Sequence, residues 1–185
     1  MKLILQNVRL SFADLYEAKS KFDGDPKFSA LFLIDPKTDH GKKNLQNFRT
    51  VVRQLEKDKL KGIELPLDKL PIKEGNDDEG NGKYDGWQDM MVITDSSKKR
   101  PVVINAAKQP VHEGDPQAPY SGCFVDVGLD VWCMDNQWGK RCVCSLEAVR
   151  FRADGEPFTS SVIDVANDFE DIEVEEVSAD SVFGI

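Results

Sequence analysis

From Cys123 to Met134 the apolar and polar positions alternate with period two. Cys123, Val125, Val127, Leu129, Val131 and Cys133 fall on one side, and Asp126, Gly128 and Asp130 on the other, which predicts a long strand with one buried face. Residues 141–146 repeat the pattern through Cys142, Cys144 and Leu146, just beyond a turn at Asp135-Asn136-Gln137-Trp138-Gly139. The two runs read as a hairpin. Residues 3–12 and 27–34 are also β-rich, the second closed by Asp35-Pro36, and a shorter apolar run at 101–106 follows Lys98-Lys99-Arg100. One helix interrupts the strands. Asp39 is placed to cap a segment running to about residue 60, in which Leu45, Phe48, Val52 and Leu55 form one apolar stripe and Gly62 closes the end. Residues 66–88 turn to Pro, Gly, Asn and Asp and read as a long loop.

Five or so strands, one helix and a long excursion predict a mainly β protein. A β-barrel with one helix, an OB-fold-like Greek-key barrel, fits best, with a twisted sandwich as the alternative. The four cysteines lack paired C-x-x-C spacing and sit on the buried sides of adjacent strands. They read as small core hydrophobes, neither bridged nor metal-bound. The acidic run Asn76-Asp77-Asp78-Glu79-Gly80-Asn81-Gly82 puts its carboxylates on consecutive residues instead of the alternating positions of a calcium loop, so no metal is expected there. His40 and His112 stand in no hydrolase, zinc-protease or phosphate-cradling motif, so neither catalysis nor a cofactor is expected. No apolar run approaches the roughly 18 residues that span a bilayer. The expectation is a cytoplasmic protein with no membrane contact.

Charge divides the chain. The segment 153–185 holds ten acids and no Lys or Arg; removing those ten from the total of 33 leaves 23 acids against all 24 bases in residues 1–152. The division predicts a domain at 1–158 and a flexible, disordered acidic tail at 159–185, whose like charges and few aromatics cannot bury enough surface to fold. Such a tail can solubilise, or it can imitate the spaced negative charge of nucleic acid and compete for a basic site on the body.

The body interleaves rings with cations. Tyr84 and Trp87 lie on the excursion, Trp132 on the outward side of the long strand, Trp138 in the hairpin turn beside Lys140 and Arg141, and Tyr120 before Ser121-Gly122. Rings beside Lys and Arg suit a sequence-tolerant single-strand site, because every base offers a face to stack and every nucleotide a phosphate. The predicted nucleic-acid contacts are therefore Tyr84, Trp87, Tyr120, Trp132 and Trp138 for bases, with Lys98, Lys99, Arg100, Lys140, Arg141 and Arg150 for phosphates. Lys42, Lys43, Arg49, Arg53, Lys57 and Lys59 on the helix read as a solvated face.

Asn7-Val8-Arg9-Leu10-Ser11-Phe12-Ala13-Asp14-Leu15-Tyr16-Glu17-Ala18-Lys19, then Pro26-Lys27-Phe28-Ser29-Ala30 and Leu33-Ile34-Asp35-Pro36-Lys37, resemble the opening of the bacteriophage single-stranded-DNA-binding proteins. Ile72-Lys73-Glu74-Gly75, Arg100-Pro101-Val102-Val103, Tyr120-Ser121-Gly122-Cys123 and Gly139-Lys140-Arg141 continue the likeness, which covers about residues 5–158. The resemblance implies an OB-fold that coats single strands during phage replication or recombination, with duplex DNA a further ligand to test. It also implies an acidic tail, here Glu170, Asp171, Glu173, Glu175, Glu176, Asp180 and Phe183, that contacts a polymerase, helicase or primase and can occupy the DNA groove. Many tails of that family end on Phe, whereas Phe183 is followed by Gly184 and Ile185. The rival reading is a DNA mimic or inhibitor whose tail engages a protein.

Overall fold

A computed structural model describes residues 1–20, 24–137 and 139–158. The strands are β1 (Lys2–Lys19), β2 (Lys27–Ile34), β3 (Ile72–Glu74), β4 (Met91–Ser97), β5 (Val102–Ile104), β6 (Phe124–Asn136) and β7 (Gly139–Ala153), and one helix, α1 (Asp39–Lys59), follows β2. The sheet runs in the order β3-β4-β2-β1-β6-β7-β5. It curls until β4 meets β7, where the Cys144 thiol donates to the Thr94 carbonyl at 3.4 Å. This is the predicted mainly β architecture, a Greek-key barrel of OB type with one helix.

The alternation read in the sequence is what fills it. Val125, Val127, Leu129 and Val131 of β6 meet Leu3, Leu5, Val8 and Leu10 of β1, Phe32 and Ile34 of β2 and Leu146 and Val149 of β7 in one core, which α1 closes with Phe48, Val52 and Leu55. Burying a large aliphatic or aromatic side chain contributes roughly 1.5–3 kcal/mol. Thr38, not Asp39, caps the helix, accepting from the Gly41 N–H at 3.0 Å, and Asp39 becomes a first-turn acid. The hydroxyl of Thr38 reaches the third residue on, as a cap must, while Asp39 is already helical. Gly62 ends the helix as expected, in a left-handed conformation with its N–H on the Glu56 carbonyl. Asn44, buried on α1, bonds both the N–H and the carbonyl of Gln6 and so pins the helix to β1 at a bulge.

Three expectations need correction. The segment 66–88 is not all loop, since a 3-10 turn at Leu67–Lys69 and β3 lie within it. Strand β4 escaped notice because its outward Val92 is buried as fully as its inward Ile93, so the segment shows no clean alternation. The cysteines are not all unbridged: Cys133 and Cys142 lie directly opposite on β6 and β7 with Cα atoms 3.9 Å apart and form a disulfide. Facing positions on paired strands bring two sulfurs together whatever their sequence spacing. Cys123 and Cys144 are free and buried, and burial pushes the Cys123 thiol up to about 11.

Candidate nucleic-acid interface

Strand register aligns a row of residues on the outer face of the barrel. Lys73 of β3 stands opposite Val92 of β4, Val92 opposite Leu33 of β2, Leu33 opposite Arg9 of β1, and Arg9 opposite Phe124 of β6. Trp87 lies on this row. Its side chain is 1% exposed, packed on Leu33 and Val92, and its indole N–H donates to the Ser11 hydroxyl at 3.3 Å. The excursion that carries it is a knitted structure, with Gly75 N–H on the Met90 carbonyl at 2.8 Å and Lys83 N–H on the Gly75 carbonyl at 2.9 Å. Asp77 caps a turn by accepting from Glu79 and Asn81 N–H groups. Asp89 accepts from Lys37, Asn76 and Gln88, and those bonds, Lys37 first, pull its carboxyl down to about 2. Among the described residues no cluster of His, Cys, Asp and Glu is arranged to hold a metal ion.

Above the buried indole sit two open rings. Phe12 and Tyr84 are 46% and 49% exposed, their centroids 5.1 Å apart and edge to face, and each also meets Trp87 edge to face. Phe12 reaches this position through a bulge in β1, where its φ of 47° is left-handed. A bulky side chain held there costs on the order of 1 kcal/mol, a strain that the surrounding fold must sustain. Cations stand at both ends of the row: the Lys73 amine lies 5.2 Å from the Trp87 ring centroid, and the Arg9 guanidinium 4.1 Å from that of Phe158 and 5.7 Å from that of Phe124.

Beside the excursion two further rows cross β1, β2 and β4, Ser11–Leu31–Thr94 and Asp14–Ser29–Ser96, in which Ser11 and Ser29 are buried and Ser96 is exposed. Concavities flank them. One of about 210 Å³ is lined by Lys19, Asp25, Lys27, Ser29 and Ser96, and one of about 520 Å³ by Asp68, Lys69, Thr94, Asp95, Ser96 and Arg141. With β4 meeting β7, the strands β1, β2, β4, β6 and β7 close a five-stranded barrel in which β2 and β4 are second and third, the face on which OB-folds bind oligonucleotides.

The residues singled out from the sequence disperse over this frame. Tyr84 and Arg141 lie on the ring-and-cation face. Trp87 does not offer a ring to a base, because it is the buried floor beneath Phe12 and Tyr84. The Tyr120 hydroxyl is tied to Asp154 and the Gly155 carbonyl, both at 3.0 Å. Lys98 pairs with Asp25, Lys99 approaches Glu147 at 3.9 Å, Lys140 pairs with Asp135, and Arg100 is exposed. Arg150 is committed with Arg152 to Asp126; burial raises that carboxyl, but the two guanidiniums and the Asn7 N–H outweigh it and hold it below the usual range. Trp132 is exposed on the outward side of β6, as the alternation predicted. Trp138 and the tail residues Glu170, Asp171, Glu173, Glu175, Glu176, Asp180 and Phe183 lie outside the described residues. Arg9, Phe12 and Lys73 were missed. The only signal for Phe12 was an apolar side chain directly after Ser11, where alternation calls for a buried residue and a bulge turns it outward.

Fold and surface together define an OB-type barrel with a ring platform bounded by cations, the equipment of a single-strand binder. The chain belongs to the family of the Enterobacter phage Enc34 ssDNA-binding protein, whose model matches residues 1–181. It is 32% identical over 181 residues to protein p50 of Acyrthosiphon pisum secondary endosymbiont phage 1, covering 95% of this chain and 96% of that one. Among solved structures it is similar to a C-terminal truncation of the bacteriophage Enc34 single-stranded DNA-binding protein, with TM-score 0.71 and 26% identity over 85% of this chain and 88% of that chain. The Enc34 protein in complex with ssDNA matches with TM-score 0.69 and 26% identity, covering 85% of this chain and 89% of that chain. No helix among the described residues is long and apolar enough to cross a membrane.

Proposed function

We propose that this chain binds single-stranded DNA without strong sequence preference on the face built from β1, β2 and β4. The observation that carries the proposal is the exposed Phe12–Tyr84 pair over a buried Trp87, with Lys73 and Arg9 along the row and Lys19, Lys27, Lys69 and Arg141 lining the flanking concavities. Bases stack on the two rings at roughly 1–3 kcal/mol each, and the cations neutralise phosphates. Trp132, Lys98, Lys99, Arg100 and Lys140 extend contact to a strand that continues past the platform. No bond is made or broken in this activity, so it asks for no catalytic group or cofactor. Coating single strands in this way suits phage replication or recombination in the host cytoplasm. The acidic segment 159–185 competes for the same cations when DNA is absent and offers Glu170 to Asp180 and Phe183 to replication proteins such as a polymerase, helicase or primase.

Fluorescence polarisation of labelled poly-dT with the full chain and with a chain ended after Asp164, each across a salt series, tests both parts. Binding that weakens with salt on a log–log slope of roughly −0.7 per phosphate, and tightens on truncation, supports the reading. A flat salt response removes the phosphate face, and unchanged affinity after truncation at low salt removes the competitor. Failure of both chains to bind transfers the case to the DNA mimic. A duplex of equal length run in parallel establishes whether double strands are also ligands.

A further inference from the structure

A second concavity, of about 710 Å³, lies on the half of the barrel built from β1, β6, β7 and β5. Register again explains it: Ile4 of β1 stands opposite Gly128 of β6, Gly128 opposite Ala148 of β7, and Ala148 alongside Val102 of β5. Ile4, 43% exposed, and Ile104 of β5 form apolar walls over a floor of one glycine and one alanine. The glycine is not required by the backbone. A Cβ at position 128 would meet nothing closer than the Ile4 Cδ1 at 3.5 Å, and the residue has no left-handed φ. The missing side chain leaves a trough. Its acids are already answered, Asp126 by Arg150 and Arg152 and Asp130 by the Met1 nitrogen at 2.7 Å, while Glu147 lies 3.9 Å from Lys99. Lys2 and Lys108 on the same rim have no ion-pair partner among the described residues.

We propose that this trough is the docking site of the chain's own Val182-Phe183 segment, with Glu175, Glu176 and Asp180 turned toward Lys2 and Lys108, while the acids from Asp164 to Glu173 stay free to compete at the DNA face. Three observations choose the occupant. The walls are aliphatic, so they offer a base no ring to stack on but suit an aromatic and a valine. The unanswered charges are positive, and the segment before Val182 is acidic. Reach is ample: Phe158 packs on Arg9, which faces Phe124 on β6, and Gly128 lies about 14 Å further along that strand. The roughly 25 residues between Phe158 and Phe183 can extend to about 80 Å, and such a tether supplies an effective concentration on the order of millimolar.

The test places a benzophenone amino acid at position 183 of the full chain, irradiates it without DNA, and maps the cross-linked peptides by mass spectrometry. Cross-links to peptides bearing Ile4, Val102 or Ile104, with a yield independent of protein concentration, are the expected result. Gly128→Leu fills the trough and is expected to cut that yield at least fivefold. The double variant Lys2→Glu, Lys108→Glu, which alters only exposed side chains, is expected to cut it several-fold, and Phe12→Ala to leave it unchanged. Cross-links to the Phe12–Tyr84 face, to the α1 groove beside Phe48 and Leu67, only between separate chains, or nowhere, each overturn the proposal.

Discussion

Asp95 is expected to weaken the fold it belongs to, and replacing it with Asn is expected to strengthen that fold progressively as pH rises. The residue sits on β4 at the seam with β7, 7% exposed, with no hydrogen-bond partner on either carboxylate oxygen. Burial pushes its carboxyl up to about 8; the Leu146 and Ser96 N–H groups pull the other way but reach neither oxygen in bonding geometry. An unfolded Asp titrates near 3.9. Between about pH 4 and about 8 the folded chain therefore holds a proton that the unfolded chain has released, so stability falls as pH rises through that window. At pH 7 the linkage amounts to about 4 kcal/mol as an upper bound. The Asn amide keeps the shape but brings a desolvation cost of about 1–3 kcal/mol, which leaves a net gain of about 1–3 kcal/mol at neutral pH. Urea unfolding of both proteins at pH 5, 7 and 9 measures it. The expected outcome is near equality at pH 5 and a gap that widens by pH 9. A gap of constant size at all three values, or an Asp95→Asn protein less stable than the parent at pH 9, would refute the assignment of a buried, unpartnered carboxyl.

Phe12→Ala and Tyr84→Ala are each expected to weaken poly-dT binding by about 1–3 kcal/mol with unchanged salt slope, and Arg141→Ala to lower the slope by about 0.7; a slope change in the ring variants would mean that their effect runs through phosphates. Trp87→Ala is expected to cost about 3–5 kcal/mol of stability, read by urea midpoint, because the ring is the floor of the platform. Asp126, held low by its two arginines and the Asn7 N–H, contributes stability that is present above about pH 4 and lost as pH falls through its own lowered titration, so Asp126→Asn should flatten the acid limb of the stability curve. Reducing the Cys133–Cys142 bridge, which closes a span of 9 residues, is expected to lower stability by up to about 2.5 kcal/mol; identical midpoints with and without dithiothreitol would show that the bridge constrains nothing.

What the sequence made legible was whatever follows from local alternation. The Val125–Val131 run, the Cys142–Leu146 run and Phe48, Val52 and Leu55 of the helix stripe bury as their periods require, with Leu45 half-buried at the edge. Tyr84 and Trp132 are as exposed as their positions suggested. Misreadings arose where a tertiary contact reverses a local signal. Trp87 sits in a polar, turn-rich segment that reads as solvent-exposed, yet the segment folds back over Leu33 and Val92 and buries it. Arg150 looks like a phosphate ligand until β6 sets Asp126 opposite it. Arg9 and Phe158 are 149 positions apart in the chain, and no window of sequence could pair them.

The pairing of Lys2 with Asp130 has a consequence for timing. The first strand cannot find its central partner until at least 130 residues have been made, which at 5–20 residues per second takes on the order of 10 s. Arg9 gains its ring contacts only when Phe124 and Phe158 have followed. A nascent chain can pair β1 with β2 early, but it leaves the other edge of that half-apolar strand open for most of its synthesis and acquires the complete row of rings and cations only at the end. The barrel is a slow folder by topology, and a chain interrupted before β6 would expose β1 as an edge for aggregation instead of a surface for nucleic acid.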